Sequence, residues 1–247
     1  MLWRKKPALS LCRKILNMSD SSQHVELEYH PVTGGIDVKS LEEILTRQSK
    51  LLRLIEMTTE TNDVFEERYW PAIERYAKMV HLLPASESYH HFEAGGMLRH
   101  GLEVGLYTMQ YGKATLYGKD FGIMERAARE RWLFACFITG LCHDLGKIEI
   151  DIKVVSETGL VWSPHSISLY EWAVNNHVKK YYVIWLPSKH QEHEQYSLGL
   201  LGKVFTNDDR DFSVELDSGV LKELMQALTG YSGSDSQLNF SHKLKKN

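Results

Sequence analysis

The chain has 247 residues, 43% hydrophobic and 25% charged, which suits a soluble globular protein and excludes a collagen-like, wholly disordered or multi-span membrane chain. Lys and Arg total 29 against 32 Asp and Glu, a net charge of -3, so there is no general attraction for nucleic acid and any such contact must be local. Cys12, Cys136 and Cys142 form no C-x-x-C pair and leave an odd number, the usage of a reduced, cytoplasmic protein rather than of a disulfide framework. The twelve histidines are the unusual feature, because histidine is the commonest metal ligand and most of them fall between residues 81 and 193.

The start is basic, with no acidic residue before Asp20, but Arg13 and Lys14 interrupt any export core. A short helix carrying Leu9, Cys12, Ile15 and Leu16 either rests on a membrane surface or a partner, or is a frayed terminus. Residues 1–39 read as a basic tail and linker, with a folded unit over 40–229. Ser40 to Glu43 is a capping box, and Leu41, Ile44, Leu45, Leu51, Leu52 and Ile55 follow at helical spacing. A second box, Asp63 to Glu66, opens a helix through Tyr69, Ile73, Tyr76 and Val80, bent near Pro71 and ended by Pro84.

After a polar loop to Gly96, helices are predicted over about 97–111 and about 124–145, the second stopped by Gly146. Ile148 to Trp162, rich in β-branched residues around the turn Glu157-Thr158-Gly159, reads as a small hairpin. Helical signals return at 166–179, 192–204 and 214–228, and 230–247 is small and polar, either disordered or a truncated element. The sum is an all-α fold, a helical bundle with one small hairpin.

His143-Asp144-Leu145-Gly146-Lys147 lies at the end of a strongly apolar helix. Neighbouring imidazole and carboxylate groups suit Mn, Fe, Zn or Mg, and Lys147 stands by as a point charge for a phosphate oxygen; the bland alternative is a helix cap. His100 follows Gly95-Gly96 on the preceding helix. An isolated helical His with a later His-Asp doublet resembles the HD phosphohydrolase superfamily. The segment from His81 through Pro84-Ala85-Ser86, Tyr89, His90-His91, Gly95-Gly96 and His100 is similar to the MobH class of conjugative relaxases, also called the TraI class of integrative elements.

The resemblance implies an HD-type helical domain that holds a divalent metal through His100, His143, Asp144 and a distal carboxylate. Asp235 is best placed for the last, ahead of Asp208, Asp209 and Asp217. His193, followed by Ser197 and three residues from His190, fits a second metal position; His165 and His177 read as solvent-facing or capping. It further implies cutting and rejoining of one DNA strand at a transfer origin, with other conjugation proteins as partners. Tyr89 is then the candidate nucleophile with His90 or His91 as base or phosphate ligand, or else Tyr89 is a loop anchor. If water attacks, the same site is a hydrolase of nucleotides or phosphodiesters; if the metal is lost, it is a non-catalytic module. Tyr69, Trp70, Tyr89, Phe92 and Trp162 are candidate stacking surfaces for single-stranded DNA.

Overall fold

The computed structural model describes residues 7–18, 34–118, 126–187 and 193–214, together with 224–226 and 228. Helix α1 (Pro7–Met18) carries Cys12, Ile15 and Leu16 on one stripe, and all three are buried in the core. That stripe is therefore not free to lie on a membrane: α1 packs on α2 and α3, and Arg13 is paired with Glu66 at 2.8 Å. The folded body thus takes in part of the segment expected to be a tail. Strand β1 (Ile36–Asp37) precedes α2 (Leu41–Thr46), whose N-cap is Ser40, its Oγ accepting from Glu43 N at 3.2 Å. The single helix expected over 41–55 breaks in two, because Gln48 N turns back to Leu45 O before α3 (Ser49–Thr58) begins.

The next start lies two residues before the predicted box. Thr61, not Asp63, caps α4 (Asn62–Val64), its Oγ1 accepting from Val64 N at 3.3 Å. A π-helical turn, Phe65–Tyr69, joins it to α5 (Trp70–Val80). Pro71 explains the turn, since proline lacks the N–H that would bond four residues back and its ring crowds that carbonyl, so the preceding turn widens. α5 stops at His81, which takes φ 44° and is wholly buried.

Helices α6 (Gly96–Gly118) and α7 (Arg126–Cys142) are the longest pair and pack along each other. Small residues make the close approach possible. A Cβ on Gly105 would meet Phe137 at 2.8 Å, and one on Gly140 would meet Thr108 Oγ1 at 2.5 Å and Val104 O at 2.6 Å. Thr108 Oγ1 stitches the pair by donating to Cys136 O at 2.7 Å. Gly146 has φ -64°, so the end of α7 is not the left-handed glycine stop expected; residues 143–146 form turns that lead directly into α8 (Lys147–Ile150).

The predicted hairpin is a three-stranded antiparallel sheet of order β1-β3-β2. β2 (Ile152–Ser156) does turn at 157–159 and bridges back through Val155 and Val161. Its main partner, however, is β3 (Lys180–Trp185), reached after α9 (Leu169–Asn175). Ile36, Tyr181 and Ser156 share one row and are all buried, so one face of the sheet covers the core. Helices α10 (His193–Leu201) and α11 (Asn207–Val214) close the described fold, which is mainly helical with one small sheet. Among the described residues no helix is long and apolar enough to cross a membrane.

Candidate metal centre

Two elements meet at one point. His100 sits in the first turns of α6, and His143-Asp144 follows the last residue of α7. The α6/α7 packing brings them together: His100 Nε2 is 3.2 Å from His143 Nε2, and Asp144 Oδ2 is 3.4 Å from each nitrogen. Among the described residues this is the one cluster of three or more His, Cys, Asp or Glu whose ligand atoms could share a metal ion. Ligand bonds of about 2.0–2.2 Å put neighbouring donor atoms about 3.0–3.4 Å apart, the spacing seen here.

A local hydrogen bond prepares His143 to be a ligand. His143 Nδ1–H donates to Gly140 O at 2.7 Å, which leaves the Nε2 lone pair facing the cluster. Burial pushes the His143 imidazole below its ordinary value, against the pull of Asp144. Burial alone would raise the Asp144 carboxyl, but His143, a hydrogen bond from His100 and the Lys147 ammonium outweigh it and hold the group well below the usual carboxylate range. A neutral imidazole and an ionised carboxylate are the forms that bind metal. Residues 143–146 are held by a buried hydroxyl, as Ser197 Oγ on α10 accepts from Gly146 N at 2.9 Å and donates to His143 O at 3.1 Å.

Lys147 is close to the cluster, as expected, but it is engaged. Its Nζ lies 2.6 Å from Asp144 Oδ2 and 3.3 Å from Ala85 O, so it ties the loop after α5 to the doublet. His91 stands on the other side, its ring centroid 5.1 Å from that of His100. Its Nε2 lies 3.1 Å from Glu103 Oε2, and Arg99 Nε donates to Glu103 Oε1 at 2.8 Å. The Glu103 hydrogen bond raises His91, against burial, and that same bond lowers Glu103 to about 2. The Gly95-Gly96 step now has a physical reason: a Cβ on Gly96 would fall 2.0 Å from His91 O, so only glycine lets α6 start against that loop.

Tyr89 and His90 are exposed on the same loop, Tyr89 at 80%, and among the described residues no hydrogen bond, ion pair or ring contact joins their side chains to the cluster. His193 opens α10, but its side chain lies outside the described residues, as do Asp235, Asp217 and His190. Asp209 is not a ligand here: buried, it pairs with Arg75 and accepts from Thr206 N at 2.8 Å. His165 Nε2 pairs with Glu149 Oε2 at 3.1 Å, in keeping with a surface role. Of the aromatic residues considered for stacking, Tyr69, Trp70 and Trp162 are core, and Tyr89 and Phe92 remain exposed. Glu103 and Gly140 O form no part of the sequence motif, and Ser197 enters it only through the resemblance. Arg99 and Glu103 at i,i+4 were a readable signal, whereas the two other partners depend on tertiary contact.

Fold and cluster together define a mainly helical protein whose α6 and α7 present a His-His-Asp set able to hold a metal ion. The TraI_2 family, described as "Putative helicase", matches residues 35–240, and the chain belongs to this TraI-type, conjugation-related family. No curated protein matches the sequence.

Proposed function

We propose that the protein is a relaxase of conjugative transfer, built on an HD-type helical domain within 40–229, that cuts and rejoins one DNA strand with the help of a divalent metal. The observation that carries this reading is the convergence of His100 Nε2, His143 Nε2 and Asp144 Oδ2 on one point, with Lys147 and His91 beside it. These three residues would hold the ion, with Asp235 and His193 as further ligands. A bound divalent cation would polarise the scissile phosphate and offset its developing charge. Membership of a conjugation-related family supports DNA as the substrate.

The chain's own groups divide the work. Tyr89 Oη attacks phosphorus, one P–O bond forms, and the bond to the leaving sugar oxygen breaks. The tyrosyl proton passes to a base and the leaving oxygen takes up a proton. His91 is better placed than His90 to serve as base or phosphate ligand, because its ring lies against His100 while His90 is exposed. Rejoining runs the same exchange backwards. A second reading is favoured by the exposure of Tyr89 and, among the described residues, its lack of a tie to the cluster: water attacks instead, and the site is an HD-type phosphodiesterase.

Incubation of the protein with Mn²⁺ and single-stranded transfer-origin DNA tests both readings. A covalent protein–DNA adduct is expected, lost in Tyr89→Phe, while His143→Ala loses both adduct and bound metal. Cleavage that persists in Tyr89→Phe with no adduct in the unaltered protein replaces the relaxase reading by the hydrolase one. Purified protein that neither binds metal nor cleaves DNA overturns both.

A further inference from the structure

Among the described residues nothing covers the face of the sheet turned away from the core. Directly paired residues of antiparallel strands point to the same side, so the register sorts the faces. The buried row of Ile36, Tyr181 and Ser156 marks the inner one. The outer one then holds Lys180 opposite Asp37, Tyr182 opposite Val155, and Ile184 opposite Lys153. Val161 joins the Tyr182 row through its bridge to Val155. Exposure agrees: Tyr182 is 43% accessible, Ile184 46% and Val161 53%, a concentration of large apolar side chains that a protein surface rarely leaves bare without use.

Chemistry selects the occupant. The one aromatic ring sits on the central strand, and the two lysines lie to either side of it along the sheet. Lys153 has no ion-pair partner among the described residues, and Lys180 has only the exposed Asp37, 3.5 Å away. Gly35, at φ 82°, lies so close to the ring that a Cβ would meet Tyr182 Cε1 at 2.8 Å, so the edge strand leaves the tyrosine its place. An aromatic ring with β-branched neighbours on an open sheet, flanked by cations, suits unstacked bases above and phosphates at the margins. The apolar groups are interleaved with lysines, which fits a polyanion with flat bases better than the continuous apolar stripe of an amphipathic helix.

We propose that this outer face, centred on Tyr182 with Lys153 and Lys180, is a platform for single-stranded nucleic acid, apart from the metal centre. The platform rests on the proposed function only in taking DNA as the substrate. α8 and Asp151 alone separate Gly146 from β2, so the platform and the metal-binding turn are parts of one continuous segment.

Fluorescein-labelled (dT)15 in EDTA, followed by anisotropy, tests the platform without metal or cleavage. Tyr182→Ala is expected to bind at least ~10-fold more weakly, Tyr182→Phe to keep the affinity, and Lys153→Glu to weaken binding and flatten its salt dependence. Metal content should be unchanged in all three, and circular dichroism checks their fold. Affinities of Tyr182→Ala and Lys153→Glu within twofold of the unaltered protein overturn the platform while leaving strand cutting at the metal centre intact, as does a face that proves to be covered by a protein partner. No (dT)15 binding by the unaltered protein, with adduct formation still present, overturns it too. Absence of both binding and adduct removes the DNA reading altogether.

Discussion

His81 shows what a single buried side chain contributes. Its Nε2–H donates to Lys39 O at 3.1 Å, Nδ1 accepts from the Tyr181 hydroxyl at 2.8 Å, and burial holds the imidazole down at about 4 from an ordinary 6.5. The unfolded chain takes a proton near 6.5 and the native state does not until about 4, so stability is full above the upper value and falls as pH drops between them. The loss from pH 7.5 to pH 5 should be about 2 kcal/mol. His81→Gln, measured by urea unfolding at both pH values, should show a pH dependence smaller by about that amount; equal dependence would refute the account. Ser197 works on the site instead. Removing its hydroxyl in Ser197→Ala leaves Gly146 N and His143 O without their partner. We expect a stability loss of about 1–3 kcal/mol and metal affinity lower by about 10–100-fold in calorimetric titration. At this scale His100, His143 and Asp144 were legible because two adjacent ligand types and an isolated helical histidine form a linear pattern. The histidine at 81 and the hydroxyl at 197 take their roles from partners 100 and 54 residues away, which spacing alone does not encode.

Among the elements, the α6/α7 pair builds the candidate metal site, since its packing brings His100 against the doublet. Gly140 is where packing and chemistry coincide. Its missing Cβ makes room for Thr108 Oγ1 and Val104 O, and its carbonyl orients His143. Gly140→Ala should therefore cost about 1–3 kcal/mol in thermal or denaturant unfolding, as overpacking of a tight core does, and should also weaken metal binding. Gly202→Ala, where nothing stands within 4 Å, should leave both unchanged. Long apolar helices such as α6 and α7 were readable from composition and periodicity, although their ends were not. The sheet was only half readable. Tyr181 to Trp185 has the aromatic and β-branched content of a strand, yet it follows a helical signal and pairs across a long connection, so the local turn at 157–159 drew β2 into an apparent hairpin. Thr61 was passed over as a cap for a similar reason: Asp63 offers the same acceptor chemistry, and only the backbone path shows which residue has the extended geometry of a cap, φ -149° and ψ 154°.

For the whole molecule the site is also a clamp. One candidate ligand is on α6 and two follow α7, and the doublet is tied to the loop after α5 by Lys147 and to α10 by Ser197. An ion that binds only the folded arrangement must stabilise the entire chain by mass action, by about 2.7 kcal/mol at a free concentration of 100 Kd. For a chain of this size that corresponds to about 5–10 °C in Tm. Thermal unfolding with Mn²⁺ or Zn²⁺ should show this rise, and EDTA should reverse it. Asp144→Asn keeps the shape of the side chain but removes the charge that faces both imidazoles and Lys147. Its unfolding temperature should hardly respond to metal, whereas Tyr89→Phe, altered on the exposed loop, should respond as the unaltered protein does. A shift of equal size in Asp144→Asn would place the bound metal elsewhere, and the convergence of α6 and α7 would then serve packing alone.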